Sequence, residues 1–523
     1  LPELSSRRIV FVGMKTTLDL AKLPDDPEKL KELVVDMAVQ MQRLQEQLRV
    51  ALRGRFGRKA ESVDPAQMAL FQKQIDEYVG KMVEASAKLE AVAVAPEGHG
   101  RRQQPENLAK QLEHYPLPED QKTCPGCKKP LKKIGEETRN ILEHVPSSVF
   151  VRVQTNEKWG CPCCQDKVVT SELPAQPIAR CLAGEGLLAH VVVSKYADHL
   201  PLHRQAQILG RQGLDVNRST LCGWTAQVAE LLEPLHTAMK AELLKSKVIH
   251  GDDTPVSVLD RPEDPPPGEG GKKRRKARQG RVWVWVGDKQ HPHTVFDYTP
   301  NRKREGPLDF LGSWKGFLQA DAYPGYETLY KERGVVEVAC WAHARRKFFD
   351  AQDTDQARGQ AALAFIGRLY QVEARAKGLS PKERQSLRQE EALPVLKAFR
   401  AWMDAQVLVL PKSAMGLAFQ YALRQWAALC RYVQDGDLAI DNNAAENALR
   451  GVAIGRKNWL FEGSDAGGRR AAVLYTLLAS CRRHNVDPYA YLKDVIARVG
   501  GHPAKQLKEL MPAYWAPAAA TAK

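Results

Sequence analysis

The stretch Lys247-Val-Ile-His-Gly-Asp-Asp-Thr-Pro255 is where the chain changes texture. Before it, apolar residues recur at helical spacing; here β-branched residues run together and lead into two adjacent acids. Working outward, Arg281-Val-Trp-Val-Trp-Val286 and Thr294-Val-Phe-Asp-Tyr298 read as the next two strands, a hairpin through Gly287-Asp288. Gly316-Phe-Leu-Gln-Ala320 and Val335-Val-Glu-Val-Ala-Cys340 read as a fourth and a fifth, with helical patterns after the third, fourth and fifth. Three antiparallel strands followed by strands alternating with helices predict a mixed sheet inside a multidomain α/β chain.

That element order is the order of a ribonuclease-H-like sheet, and it puts acids in telling places. Asp252 is expected at the end of the first strand, and Asp321 ends the fourth in Leu318-Gln-Ala-Asp-Ala-Tyr-Pro-Gly325. Glu446, in Asp441-Asn-Asn-Ala-Ala-Glu446, falls on the first turn of a later helix. Carboxylates converging from different elements suit hard divalent ions, here two Mg²⁺ (or Mn²⁺) about 3.5–4 Å apart, the arrangement that phosphodiester chemistry uses. Each acid also has a bland reading. An Asp after a strand is often a turn residue. Glu446 stands three residues after Asn443, the spacing of a capping box, and four before Arg450. Asp253 should face away from Asp252 by strand alternation, and spacing alone does not choose between them. His343 is a further candidate beside the site, for DNA or a metal-bound water, against a hydrogen-bonded structural role.

The chain has 523 residues, too many for one core, and 43% hydrophobic content, which excludes a disordered polymer. Residues 1–28 show no period and are expected to be flexible. Over 29–95, Leu30, Val34, Met37, Met41, Leu44, Leu48 and Ala51 keep heptad steps, a leucine-zipper-like coiled coil or a helix packed on its own protein, followed by a second helix. Residues 96–119 form a linker, 120–175 a cysteine-bearing domain, and 176–246 three helices. In the last, Leu202–Val228 reads as helix, Gly213 turn and a helix entered through Asn217 or Ser219. This is either a helix-turn-helix, with Arg218, Ser219, Thr220 and Trp224 near the start of the recognition helix, or plain scaffold. The sheet domain runs over 247–349, a helical insertion over 350–435, and the glutamate helix over 436–464. A helical segment over 465–523 ends in a tail expected to be loose from Pro512. No stretch reaches the ~18 apolar residues of a bilayer span, and Ile9-Val-Phe-Val12 is too short for a secretion signal, so a cytoplasmic home is expected.

Five of the ten cysteines lie in Cys124-Pro-Gly-Cys127 and, 33 residues on, Cys161-Pro-Cys-Cys164, and four of them form two Cys-x-x-Cys pairs. Two such knuckles present four thiolates tetrahedrally, a closed structural Zn²⁺ site with Cys124, Cys127, Cys161 and Cys164 as ligands; Cys163 stands as an alternative to either of the last two.

A formal charge of +15 suits a polyanion. Candidate phosphate contacts are Arg55 and Arg58 after the heptads, and Lys272, Lys273, Arg274 and Arg275 in a run with seven basic residues in ten between the first two strands. Arg345, Arg346 and Lys347 follow the fifth strand, and Arg450, Arg456 and Lys457 follow Glu446. The basic run reads equally as a solvated tether. Trp459 is read as core before base-stacking.

Together, His250-Gly-Asp-Asp-Thr-Pro255, Leu318-Gln-Ala-Asp-Ala-Tyr323, Cys340-Trp-Ala-His-Ala-Arg-Arg-Lys-Phe348, Asp441-Asn-Asn-Ala-Ala-Glu446 and Ile454-Gly-Arg-Lys-Asn-Trp459 resemble the insertion-sequence-66 transposases. Arg55-Phe-Gly-Arg-Lys-Ala-Glu61, the zipper and the paired cysteines fit the same pattern, which covers about residues 30–500. The resemblance implies a DDE-type site carried by Asp252, Asp321 and Glu446, and a helical insertion before the glutamate. It also implies a bacterial insertion sequence whose ends are cut and joined to target DNA, with companion proteins of the element. Dimerisation follows from a reaction that joins two ends. The rival readings are a catalytically inactive zinc-ribbon DNA-binding protein and a nuclease without strand transfer.

Overall fold

The computed structural model describes residues 148–155, 158–160, 168–170, 176–259, 277–406 and 409–516. The heptads, Arg55, Arg58, the four zinc-candidate cysteines and Lys272, Lys273, Arg274 and Arg275 lie outside them. Two short strands, β1 (Lys158–Gly160) and β2 (Val168–Thr170), pair antiparallel on either side of the second cysteine knuckle. Among the described residues no helix is long and apolar enough to cross a membrane.

The three expected helices are α1 (Glu185–Tyr196), α2 (Leu202–Arg211) and α3 (Arg218–Leu243). Gly213, at φ +88°, makes the turn between the last two, a conformation that costs glycine nothing. Asn217, not Ser219, is the cap: its Oδ1 accepts the Thr220 N–H at 2.9 Å. Trp224 is buried, so it packs under α3 instead of facing outward.

The sheet is β3 (Val248–Leu259), β4 (Ala277–Val286), β5 (Thr294–Thr299), β6 (Phe317–Gln319) and β7 (Val336–Val338), in the order β5-β4-β3-β6-β7. The first three pair antiparallel, and β3, β6 and β7 run parallel. Short helices α4 (Glu305–Leu311) and α5 (Glu327–Glu332) make the crossings on either side of β6. Trp283 and Trp285 are fully buried on β4, and Trp285 stacks on Phe310 of α4 with ring centres 4.9 Å apart.

β3 is longer than the sequence suggests. The first strand is expected to end at Asp252, yet it continues through Pro255 to Leu259 against β4. β6 stops opposite His250, so beyond it β3 has one ladder only, and a proline whose missing N–H faces the vacant edge is tolerated there. Asp252 is therefore inside a strand, not at its end.

Helix α6 (Trp341–Ala351) leaves β7 and opens the insertion: α7 (Gln356–Arg375), α8 (Pro381–Leu387), a π turn at Arg388–Ala392, α9 (Leu393–Asp404), α10 (Ala414–Arg424) and α11 (Trp426–Cys430). Its core of Phe348, Phe365, Phe399 and Phe419 is continuous with Val248 and Val338 of the sheet. Arg388, fully buried, is paired with Glu373 through contacts of 2.8 and 2.7 Å and donates to the carbonyls of Tyr432, Asp435 and Leu438. Each polar atom of that buried charge thus has a partner.

Helices α12 (Asn443–Asn458), α13 (Asp465–Arg483) and α14 (Pro488–Arg498) complete the described chain. Within the described residues the tail is held as far as Trp515, which donates its indole N–H to Asp494 at 2.8 Å, and Met511 is buried.

Candidate active site

The register Val248↔Phe317, Ile249↔Leu318, His250↔Gln319, carried two steps further, sets Asp252 level with Asp321. Both acids lie where β6 ends and α12 takes over the vacant edge of β3. In a strand a residue's N–H and C=O face the same edge, and the odd-numbered residues of β3 face this one. Asn442 donates its side-chain amide to the Gly251 carbonyl at 2.9 Å, and Asp252 accepts the Asp253 N–H at 2.7 Å. Arg456 donates to the Pro255 carbonyl and, at 2.8 Å, to Thr254 Oγ1. Glu462 donates its N–H to the Ser257 carbonyl at 2.7 Å. The glutamate helix is thus fastened along β3 from Gly251 to Ser257.

Asn442 is fully buried and organises the junction. Its amide is spent on Gly251, so its Oδ1 must accept, and His250 Nδ1–H at 3.1 Å is the donor. Burial drives the His250 imidazole down to about 4, keeping it neutral for that role. Gln319, also buried, donates to the carbonyls of Ala439 and Asp441 at 2.6 and 3.0 Å and accepts the Ala439 N–H. Lys247 holds Asp435 and Asp437 at 2.8 and 2.7 Å, and Tyr370 of α7 donates to Asp441 at 3.0 Å. The segment that delivers Glu446 is therefore held by β3, β6 and the insertion together.

Glu446 is not a capping-box residue. The cap position is Asn442, whose side chain is engaged with Gly251 and His250, and Glu446 is the fourth residue of the helix, one too far. Its carboxylate lies 3.7 Å from His343 Nδ1 and, among the described residues, pairs with no arginine. His343 Nδ1 has no hydrogen-bond partner, which removes the reading of a hydrogen-bonded structural histidine at that atom.

The two neighbouring aspartates differ in partners. Asp253, its side chain 1% exposed, is held by Arg281 at 3.0 Å and Arg302 at 2.8 Å, and Arg302 also reaches Asp321 at 3.4 Å while lying over the Tyr323 ring. Asp252 has no cationic partner among the described residues. Removal from water raises it to about 7, the Asp253 N–H opposes this, and the charges of Asp321, Asp253 and Glu446 add to it. Burial raises Asp321 as well, against the pull of Arg302 and His343. The three acids do not draw their oxygens tightly together. Among the described residues, the donor atoms that gather within 4.8 Å are those of Cys340, His343 and Glu446.

Of the basic candidates, Arg346, Lys347, Arg450 and Lys457 are exposed, Arg345 is half-buried, and Arg456 is committed to Thr254 and Pro255. Trp459 is half-buried, edge-on to Tyr196. Sequence reading missed Arg302, Asn442 and Gln319. The basic run Arg302-Lys-Arg304 just after β5 was a signal for the first; the other two stand inside quoted motifs but carry no local mark of long-range bonding.

Comparison with known proteins fits this architecture to one family. The family model "Transposase IS66 family" matches residues 180–470, and "IS66 C-terminal element" matches 476–513. "Zinc-finger binding domain of transposase IS66" matches 121–165, spanning all four candidate zinc ligands, and "Transposase C of IS166 homeodomain" matches 43–115. Two proteins of Sinorhizobium fredii (strain NBRC 101917 / NGR234) are similar along most of their length. The uncharacterized protein y4hP is 31% identical over 91% of this chain and 88% of its own, and y4jD is 30% identical over 94% and 97%. Among solved structures, the Drosophila P element transposase strand transfer complex aligns at 11% identity and a TM-score of 0.24, covering 61% of this chain and 93% of that one, too distant to show a shared fold. The class is that of transposases, enzymes that process nucleic acid. The chain belongs to the IS66 transposase family.

Proposed function

We propose that this transposase cuts and joins DNA at a ribonuclease-H-like site whose metal ligands are Asp252, Asp321 and Glu446. One observation carries the reading: Asp252 sits among like charges, raised to about 7, with no cation beside it among the described residues. Such a carboxylate calls for positive charge, and an all-oxygen donor set fits a hard divalent ion. Ligands spread around two ions need not touch one another, which agrees with the loose spacing of the three acids. Strand order β5-β4-β3-β6-β7 supports the fold assignment.

When bound, two Mg²⁺ (or Mn²⁺) ions would activate the attacking oxygen and stabilise the leaving one. The chain's own residues do the placing. Asn442 and Gln319 fix the turn before Glu446 relative to β3 and β6. Arg302 and Arg281 neutralise Asp253, leaving Asp252 as the acid of the pair that is open to a metal. The exposed Arg346, Lys347, Arg450 and Lys457, on the two helices flanking the acids, supply phosphate contacts. Cys124, Cys127, Cys161 and Cys164 hold one structural Zn²⁺. The division into modules at 120–175, 176–246, 247–349, 350–435 and 436–464 is part of the same reading, as are pairing of two chains to hold two element ends and help from companion proteins of the element.

The test is a strand-transfer assay with labelled element ends, target DNA and Mg²⁺. Wild-type chain should nick the ends and join them, and Glu446→Gln should do neither while still binding the ends. Full activity in Glu446→Gln would sink the site, nicking without joining would make the protein a nuclease, and binding without nicking by the wild type would make it a DNA-binding relic.

A further inference from the structure

The geometry points to a second metal site, for a thiophilic divalent ion such as Zn²⁺, built from Cys340, His343 and Glu446 and inhibitory because it takes Glu446 away from the other two acids. This rests on Glu446 being a ligand of the catalytic ions. Cys340 caps α6 and His343 is its third residue, so one turn presents a sulfur and an imidazole nitrogen toward α12. Cys340 Sγ, His343 Nδ1 and a Glu446 oxygen all lie within 4.8 Å of one another. Bonds of ~2.0–2.3 Å in a tetrahedron put ligand atoms roughly 3.3–3.8 Å apart, so small side-chain rotations close the site.

Two further details favour an ion there. His343 Nδ1 is buried without a hydrogen-bond partner, 3.7 Å from Glu446 Oε1, a distance too long for a bond and suited to an atom shared between them. Cys340 Sγ accepts the Asn442 N–H at 3.1 Å, a bond that a thiolate keeps and strengthens. Metal binding replaces the thiol proton, which leaves to solvent, and water completes the fourth position from the side on which His343 and Glu446 are 35% and 40% exposed. The donor set of thiolate, imidazole and carboxylate selects Zn²⁺ over Mg²⁺, while Asp252 and Asp321 offer only oxygen. One glutamate cannot serve both sites, so the two kinds of ion compete.

Co²⁺ is the probe, added to the full-length chain whose cysteine knuckles have first been filled with one equivalent of Zn²⁺. One further Co²⁺ should bind per chain with a sulfur-to-cobalt charge-transfer band. Cys340→Ser should abolish the band. His343→Asn, at a half-exposed position that cannot collapse the core, should weaken binding by on the order of 10²-fold. Millimolar Mg²⁺ should weaken Co²⁺ uptake. Absence of the extra ion, or a band surviving in Cys340→Ser, would overturn the site. Uptake through Cys340 and His343 that ignores Mg²⁺ would overturn the inhibition. No DNA is present, so failure here is separable from failure of the strand-transfer assay.

Discussion

Where this sheet lacks a neighbouring strand along β5 and along β3, two helices close it by different chemistry. Along β5, α13 does it with hydroxyls: Thr476 accepts the Phe296 N–H at 2.8 Å, and Ser480 donates to the Thr294 carbonyl at 3.1 Å. Both are buried and neutral. Along β3, α12 does it with an amide, a guanidinium and backbone, and the strand between those fasteners carries Asp252 and Asp253. The first closure seals an edge. The second seals an edge while leaving Asp252, among the described residues, without a cationic partner. A sheet edge becomes a site when the groups that close it do not also neutralise it.

The strongest way to break this contrast is Asp252→Asn. Cleavage should fall by on the order of 10³-fold, because several kcal/mol of charge stabilisation is lost. The metal-free protein should nonetheless melt higher at pH 8, since one member of a like-charge cluster is gone. Lower melting at pH 8 would contradict the crowded-acid picture.

Matched lesions compare the edges next. Asn442→Ala leaves the Gly251 carbonyl and His250 without partners and should cost on the order of 3 kcal/mol, with cleavage falling further than the lost folding explains. Thr476→Val should cost about 1–3 kcal/mol in denaturant titrations and leave the activity of the folded fraction unchanged. If both variants lost activity only in proportion to folding, the inner edge would be as passive as the outer.

A third test uses pH. Asp252 stands at about 7 folded, against about 3.9 in an unfolded chain. Folding therefore favours its protonated form, and that contribution is complete below pH ~4 and lost as pH rises through about 7. Metal-free melting temperature should fall across that window and recover with Mg²⁺, and Asp252→Asn should flatten both responses. The smallest effect belongs to Tyr370→Phe, which removes one bond to Asp441 and should cost about 0.5–1.5 kcal/mol while raising the Mg²⁺ needed for half-maximal cleavage.

Sequence periodicity was enough to find the five strands, the three helices before them and the helical insertion, because each buries one face with its own period. It also singled out the three acids as candidates, because they stand in short motifs. It misjudged whatever depends on a partner far along the chain. Asp252 read as a strand end because nothing local says that β3 runs on past the end of β6 at Gln319. For Glu446, assigned to the metal site, a capping alternative stayed open because its spacing from Asn443 is visible and the engagement of Asn442 with Gly251 is not. Arg456 read as a DNA contact because its bonds to Thr254 and Pro255 cross two hundred residues. Charge in a sequence has no address until the fold supplies one.

The fastening of Asn442 to Gly251 joins residues 191 apart. At ordinary synthesis rates roughly 10–40 s separate their emergence from the ribosome. During that interval β3 has a bare edge, and its aspartates have no glutamate. On the proposed assignment, a chain broken off anywhere in the insertion lacks the third acid, which arrives only as α12 is made, with α13 and α14 still to follow.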